Sequence, residues 1–65
     1  MERNQSCEIY DYIKNNENCS TQDIVDGTGW VRYIVEMVTS IMIKENLIKI
    51  TGHDTWDDPQ FKRIS

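Results

Sequence analysis

The longest apolar pattern in this chain runs through positions 31–45 and has the spacing of a helix. Apolar side chains recur three or four residues apart, which places them on one helical face: Val31, Ile34, Val35, Val38, Ile41 and Met42. Asn46 suits the left-handed position that follows a last helical turn. A chain of 65 residues has room for one small core around such a helix. The pattern therefore predicts a single domain in which this stripe faces the other elements.

An earlier helix is predicted in the segment SCEIYDYIKNN. Ile9, Tyr12 and Ile13 have helical spacing there, and the asparagines that follow favour turns over helix interiors. We therefore expect a first helix over about residues 5–16, with residues 1–5 frayed.

A short second helix is predicted in the segment STQDIVDGTG. Ser20 followed three residues later by Asp23 is typical of a capping box, in which side chains bond the free N–H groups of a first turn. The helix is expected over about residues 21–26. Gly27 and Gly29 both allow the positive φ that a sharp turn between helices needs.

The last third of the chain predicts a hairpin. The stretch IKI places Ile48 and Ile50 inward on one strand, and GHDTWDDP has the glycine, aspartates and proline of a loop. In the returning segment QFKRIS, Phe61 and Ile64 have opposite parity. Because strand side chains alternate between faces, this parity predicts either a bulge or an apolar side chain outside the core.

Charge and hydropathy narrow the classes of function. A formal net charge of −4 opposes non-specific affinity for nucleic acids, which comes mostly from cations that neutralise phosphates. The sequence has no apolar run of the roughly 20 residues that a membrane span needs, and no signal segment is recognised. We therefore expect a cytoplasmic protein without a membrane partner.

The chemically reactive residues predict no catalytic or metal site. Cys7 and Cys19 are both expected to be reduced and partly buried, and Cys19 is expected to pair as a strand of one or two residues. With His53 they lack the paired spacing of zinc ligands. The chain also lacks a nucleophile accompanied by a base and a glycine-rich phosphate cradle. We expect no enzymatic activity, cofactor, metal or small-molecule substrate.

The ordered set of these features resembles a known family. The stretch STQDIVDGTGWVRYIVEMVTSIMIKENLIKI, followed by a hairpin, is similar to the winged helix-turn-helix domain of small prokaryotic and phage transcriptional regulators. The likeness covers about residues 6–65. It implies an α+β fold of three helices followed by a two-stranded antiparallel β wing, with the third helix in a DNA major groove and the wing on the adjacent backbone.

The resemblance implies a set of DNA contacts and a partner, double-stranded DNA, for a sequence-specific regulator. Arg32 is the best candidate to read a base, because a guanidinium fork fits guanine O6 and N7. A homodimer or a protein co-regulator is also implied, since one chain with few cations makes few phosphate contacts. The implied contact residues are Val31, Arg32, Tyr33, Glu36, Thr39 and Ser40 on the helix, with Lys49 and Lys62 on the wing.

Several residues depart from this pattern and support a second interpretation. Val31 stands where the family often has a capping serine or threonine, and the wing tip HDTWDD is acidic. Arg32 and Glu36, four residues apart, could simply form an exposed ion pair. Trp56 in the acidic loop either covers the hairpin or anchors a protein interface. The alternative is therefore an acidic winged-helix module, an antagonist or adaptor of a host or partner protein, that binds through the wing and Trp56, with Tyr10 or Tyr12 at a dimer surface. A third interpretation is a structural module that associates with itself.

Overall fold

Six elements follow one another along residues 3–64, which are the residues that the computed structural model describes. The predicted α+β class, with three helices followed by an antiparallel hairpin, is confirmed. A two-residue strand joins the hairpin, as expected for Cys19, and gives a sheet of order β1-β3-β2. The elements are α1 Gln5–Asn15, β1 Cys19–Ser20, α2 Thr21–Thr28, α3 Arg32–Lys44, β2 Ile48–His53 and β3 Pro59–Arg63.

The segment before α1, predicted to be frayed over residues 1–5, makes side-chain contacts at Arg3 and Asn4, and Met1 and Glu2 lie outside the described residues. The Asn4 side chain caps α1 by accepting a hydrogen bond from the backbone N–H of Cys7 at 3.0 Å. Arg3 donates to the Glu8 carboxylate at 2.8 Å and lies over the Trp30 ring, 4.3 Å from its centroid. These contacts connect the start of α1 to the turn before α3.

The helix α2 begins at the predicted capping box. Ser20 Oγ accepts from the N–H of Asp23, and the Asp23 carboxylate accepts from the N–H of Ser20. The helix ends later than predicted, and of the two glycines only Gly29 has a positive φ, of 79°. Gly27 lies inside the helix, where a Cβ would stand 2.1 Å from the Tyr12 ring. It therefore serves close packing against α1 and not a left-handed turn.

The helix α3 buries a narrower stripe than predicted. Val35, Val38 and Met42 are buried, whereas Val31 and Ile41 are exposed, which corrects the predicted stripe at those two positions. Val31 is the residue before the first helical turn, and Ile41 lies about 100° around the helix from the buried face. The helix ends as predicted at a left-handed Asn46, with φ of 60°.

The sheet follows the predicted hairpin with one correction. Ile48 is buried, but Ile50 is 47% exposed, so the prediction that both point into the core is wrong for Ile50. Ile50 lies opposite Phe61, at the point where the register shifts through a bulge before Gly52. Of the two alternatives that the parity of Phe61 and Ile64 predicted, the second occurs: pairing is regular from Phe61 to Arg63, and Ile64 is exposed outside the core.

The core lies between the three helices and the inner face of the sheet. Its members come from every element except the hairpin loop, so all the elements are needed to close it. None of the helices within residues 3–64 has the length and apolar composition to cross a membrane. The buried apolar side chains are Ile9, Ile13, Cys19, Ile24, Val35, Val38, Met42, Ile48 and Phe61.

Candidate functional site: the outer face of α3 and the hairpin loop

Arg32, the residue predicted to read a DNA base, is held by other side chains of the domain. Its guanidinium forms a close ion pair with Asp58 and bonds Glu36 at 3.2 Å and the Gln22 side-chain oxygen at 3.1 Å. The hydrogen bond to Asp58 is the largest cause of a raised Arg32 pKa, and burial opposes it. The predicted Arg32–Glu36 ion pair is thus present, as one contact of a larger cluster.

Asp58 is the centre of that cluster. It is only 8% exposed, and its second oxygen accepts from the backbone N–H of Gln22 at 2.9 Å. Gln22 is in the first turn of α2, where N–H groups lack helical partners and the helix dipole favours a negative charge. Asp58 therefore caps α2 across the fold while it holds Arg32 at the start of α3. One carboxylate joins α2, α3 and the hairpin.

The hairpin loop, residues 54–58, is held in one shape by its own hydrogen bonds. Asp54 Oδ1 accepts from the N–H groups of Trp56 at 2.8 Å and Asp58 at 2.9 Å. The Asp54 N–H donates to the Asp58 carbonyl, and Asp57 takes a positive φ of 62°. The Trp56 side chain is 88% exposed. The loop therefore presents an indole to solvent on an ordered backbone, and the prediction that Trp56 might cover the hairpin is wrong.

The side of α3 that faces away from the core is mainly apolar. Tyr33 is 72% exposed, Met37 40% and Ile41 50%, and these residues follow each other at intervals of four along the helix. Side chains four apart lie on one helical face. Ser40 and Lys44 complete that face. We call Tyr33, Met37, Ser40, Ile41 and Lys44 the outer face of α3.

A groove of about 380 Å³ runs between α3 and the hairpin. Thr39, a predicted DNA contact, lies at its floor but is buried, with its hydroxyl donating to the Val35 carbonyl at 2.9 Å. Its side chain is therefore closed to an external ligand, which corrects that prediction. Glu36 and Ser40 border the groove and are exposed.

The predicted wing contacts lie apart from the outer face of α3. Lys49 of β2 pairs with Lys62 of β3, and this pair lies next to the pair of Ile50 with Phe61. Because neighbouring strand residues point to opposite faces, the lysines lie on the sheet face that is turned away from the core. Neither forms an ion pair within residues 3–64. They make a small basic pair, separate from Arg32.

The two tyrosines predicted at a dimer surface occupy different environments. Tyr12 packs on Gly27, and burial is the largest cause of a raised pKa for its phenol. Tyr10 borders a groove of about 430 Å³ between α1 and the end of α3. Both tyrosines are half-buried, and Tyr12 also borders a surface groove, between α1 and α2. The two cysteines are both free; Cys19 is buried, whereas Cys7 is exposed, so the prediction that Cys7 is partly buried is wrong.

Three site residues escaped the sequence reasoning. Asp58 was grouped with the aspartates of an acidic tip, and its contacts with Gln22 and Arg32 join positions far apart in the chain. Met37 and Ile41 had a local signal, since they share a helical face with Tyr33. Within residues 3–64, no three metal-ligating side chains come together.

Comparison of the chain with family models, with curated proteins and with solved structures gave no match. The function must therefore be argued from the geometry of these surfaces.

Proposed function

We propose that this chain is a winged-helix module that binds another protein through the outer face of α3. The observation that carries the proposal is the apolar character of that face, on which Tyr33, Met37 and Ile41 are exposed in one row. Exposed aromatic and long apolar side chains are typical of the buried centre of protein interfaces. The winged-helix assignment is supported by the element order, in which three helices precede the hairpin.

The charges around α3 favour a protein over a DNA partner. Affinity for DNA needs cations that are free to neutralise phosphates. Arg32 is already bonded to Asp58 and Glu36, and a phosphate would have to compete with both carboxylates. Within the described residues, Lys44 is the one cation on the outer face of α3. A helix face with this composition gains more from contact with apolar side chains than from contact with a phosphate backbone.

The Arg32–Asp58 pair has a positioning role in this proposal. It joins the start of α3 to the hairpin and, through the Gln22 N–H, to α2. The outer face of α3 is therefore presented on a helix whose direction is set before a partner binds. A preorganised surface loses less conformational freedom on association than a mobile one.

Site-specific photo-crosslinking tests the proposal. A photoreactive amino acid placed at Met37 should link the chain to a discrete protein in the source cell, and excess unlabelled chain should suppress the product. The same group at Lys62, on the outer face of the sheet, is the matched control. The product should be lost when Tyr33→Ser and Ile41→Ser are introduced beside the probe. A product that survives these two changes, or that contains DNA, would overturn the proposal.

DNA reading is the second candidate, and one observation favours it. The element order matches the fold in which a third helix enters the major groove, and Lys49 and Lys62 form a basic pair on the hairpin. The test is fluorescence anisotropy against a random-sequence duplex pool at about 50 and 200 mM salt, the range in which phosphate-driven binding collapses. Salt-sensitive binding that is lost in Lys49→Gln with Lys62→Gln would favour DNA. Absence of binding at low salt would leave the protein partner.

A further inference from the structure

We infer that this chain also associates with copies of itself, head to tail, by inserting Trp56 of one copy into the groove between α1 and the end of α3 of the next. This inference goes beyond the proposed function, because it uses neither the outer face of α3 nor the partner that binds there. It rests on three observations: an exposed indole, an apolar groove of suitable size, and opposite charges at the two ends of the molecule.

The inserting group is Trp56. Its side chain is 88% exposed on a loop whose backbone is fixed by the hydrogen bonds of Asp54. A tryptophan buries roughly 150–250 Å² when it enters an apolar environment. Because the loop is already ordered, insertion requires little further loss of backbone freedom. The indole can therefore enter a cavity without rearrangement of the hairpin.

The receiving groove lies at a different place on the molecule. It has a volume of about 430 Å³ and is lined mainly by apolar parts of α1 and of the end of α3. Tyr10, Met42 and Leu47 are among the lining residues, and of these Leu47 is exposed whereas Met42 is buried. The other grooves that border α3 are smaller and have more polar walls. The lining residues are Ser6, Cys7, Tyr10, Asp11, Met42 and Leu47.

The end that carries Trp56 is acidic. Hydrogen bonds connect its charged groups across the hairpin loop and the first turns of α2 and α3. Asp58 accepts from Gln22, which in turn donates to Asp26. Arg32 forms ion pairs with Asp58 and Glu36. Six carboxylates stand there against one guanidinium. The group consists of Asp23, Asp26, Glu36, Asp54, Asp57 and Asp58, with Arg32.

The end near the groove is basic. Leu47 accepts a backbone hydrogen bond from Ile64, which brings the end of β3 beside the groove, and Lys49 and Lys62 are partners in the same hairpin. Apart from the outer face of α3, the cations there are Lys49, Lys62, Arg63 and, on α1, Lys14, and the carboxylates are Glu45 and, on the groove wall, Asp11.

This arrangement selects a second copy of the chain as the occupant. The acidic end of one copy meets the basic end of the next, so their charges attract even though both copies carry a net charge of −4. Two different surfaces meet, so the contact is heterologous, and a pair of copies still has one free indole and one free groove. One indole with a charged rim is a small interface, and we therefore expect reversible association that grows with concentration.

The test is sedimentation velocity over a concentration series up to about 1 mM, where even weak contacts are populated, with two altered forms. Trp56→Ser removes the inserting group and leaves the groove. Alkylation of Cys7 with a maleimide fills the groove and leaves Trp56; Cys7 is exposed and Cys19 is buried, so the reaction is selective. Ser6→Tyr is a second way to fill the groove, from an exposed position of α1.

The expected result is that the unmodified chain forms oligomers of increasing size, whereas each altered form alone remains a monomer. Mixed together, the two forms should give a one-to-one dimer and nothing larger, because only one intact surface of each kind is present. A wild-type chain that stays monomeric, a Trp56→Ser chain that still oligomerises, or a mixture without dimers would each overturn the inference. None of these changes touches Met37, so the crosslinking test of the α3 partner stays independent.

Discussion

Replacement of Asp58 by asparagine should destabilise the domain far more than the same replacement at the neighbouring Asp57. Asp58 is 8% exposed and accepts the backbone N–H of Gln22 at 2.9 Å, whereas Asp57 is exposed and its side chain makes no hydrogen bond within residues 3–64. Both changes remove one negative charge from the same loop. They therefore separate the buried contact from the general effect of charge.

The magnitude follows from the Gln22 contact alone. A hydrogen bond to a charged group contributes about 1.5–3 kcal/mol and a neutral one about 0.5–1.5 kcal/mol, and a carboxylate at a helix N-terminus adds about 0.3–1 kcal/mol. Asp58→Asn should therefore lower the free energy of unfolding by about 1–2 kcal/mol. For a domain of this size that corresponds to a fall in Tm of about 5–15 °C. Asp57→Asn should change the free energy of unfolding by about 0.5 kcal/mol or less, because asparagine tolerates a positive φ.

Thermal and urea unfolding followed by circular dichroism measures both variants under the same conditions. Equal shifts for Asp58→Asn and Asp57→Asn would refute the reasoning, because the buried carboxylate would then contribute no more than an exposed one. The positioning role of the Arg32–Asp58 pair would fail with it.

Three further predictions concern α1, α2 and the cysteines. Gly27→Ala should destabilise the wild type by about 1–2 kcal/mol, because the added methyl group overpacks against the Tyr12 ring. In a Tyr12→Ala background the same change should stabilise the domain through the helix propensity of alanine, and urea unfolding of the four chains measures both changes in the free energy of unfolding. Burial raises the pKa of the Cys19 thiol from 9.0 to about 11, so the stability that this group contributes is complete below pH 9.0 and is lost as the pH rises through about 11. The free energy of unfolding should therefore fall with pH over this range in the wild type and in Cys7→Ala, but this fall should be absent in Cys19→Ala. A hydrogen bond from the Arg3 guanidinium lowers the pKa of Glu8. The pair therefore stabilises the fold at pH values above the ordinary pKa of glutamate, and this stabilisation is lost as the pH falls through the lowered pKa. In Glu8→Gln the free energy of unfolding should vary less with pH at low pH than in the wild type.

The parts of the fold that the sequence predicted depend on local signals. The Ser20–Asp23 capping box, the left-handed Gly29 and the left-handed Asn46 each require only residues within one helical turn. The exposure of Ile64 was also predictable, because its parity relative to Phe61 is a property of one segment, whereas the bulge lies on the other strand, between Ile50 and Gly52. The order of helices and strands followed from these punctuating residues, and from the periodicity between them.

The parts that were missed depend on contacts between distant segments. Thr39 has the spacing of an exposed residue beside Arg32 and Glu36, but the hairpin covers that flank of α3 and buries it. Asp58 looks like one aspartate among several until its bond to Gln22 is seen, across 36 positions of sequence. The spacing of polar and apolar residues along a helix does not show which flank another element will cover. The candidate site is the face of α3 that no other element of the described chain covers.

Trp30 illustrates the same limit on a smaller scale. It follows the turn glycine Gly29 and packs against the core, with Arg3 over its ring. Its indole nitrogen is buried and makes no hydrogen bond within residues 3–64, and its effect on the pKa of Glu8 is the smallest of the causes. The sequence indicated the place of the ring but not the environment of its polar atom.

The strand β3 is the last element in sequence and the middle strand of the sheet, since both β1 and β2 pair with it and not with each other. During synthesis, β1 and β2 therefore wait without any sheet partner until residues 59–63 have been made. The three helices can associate earlier, but Cys19 and Ile48 remain without the Phe61 layer that covers them. Completion of the sheet is thus governed by the last of its three strands to be synthesised.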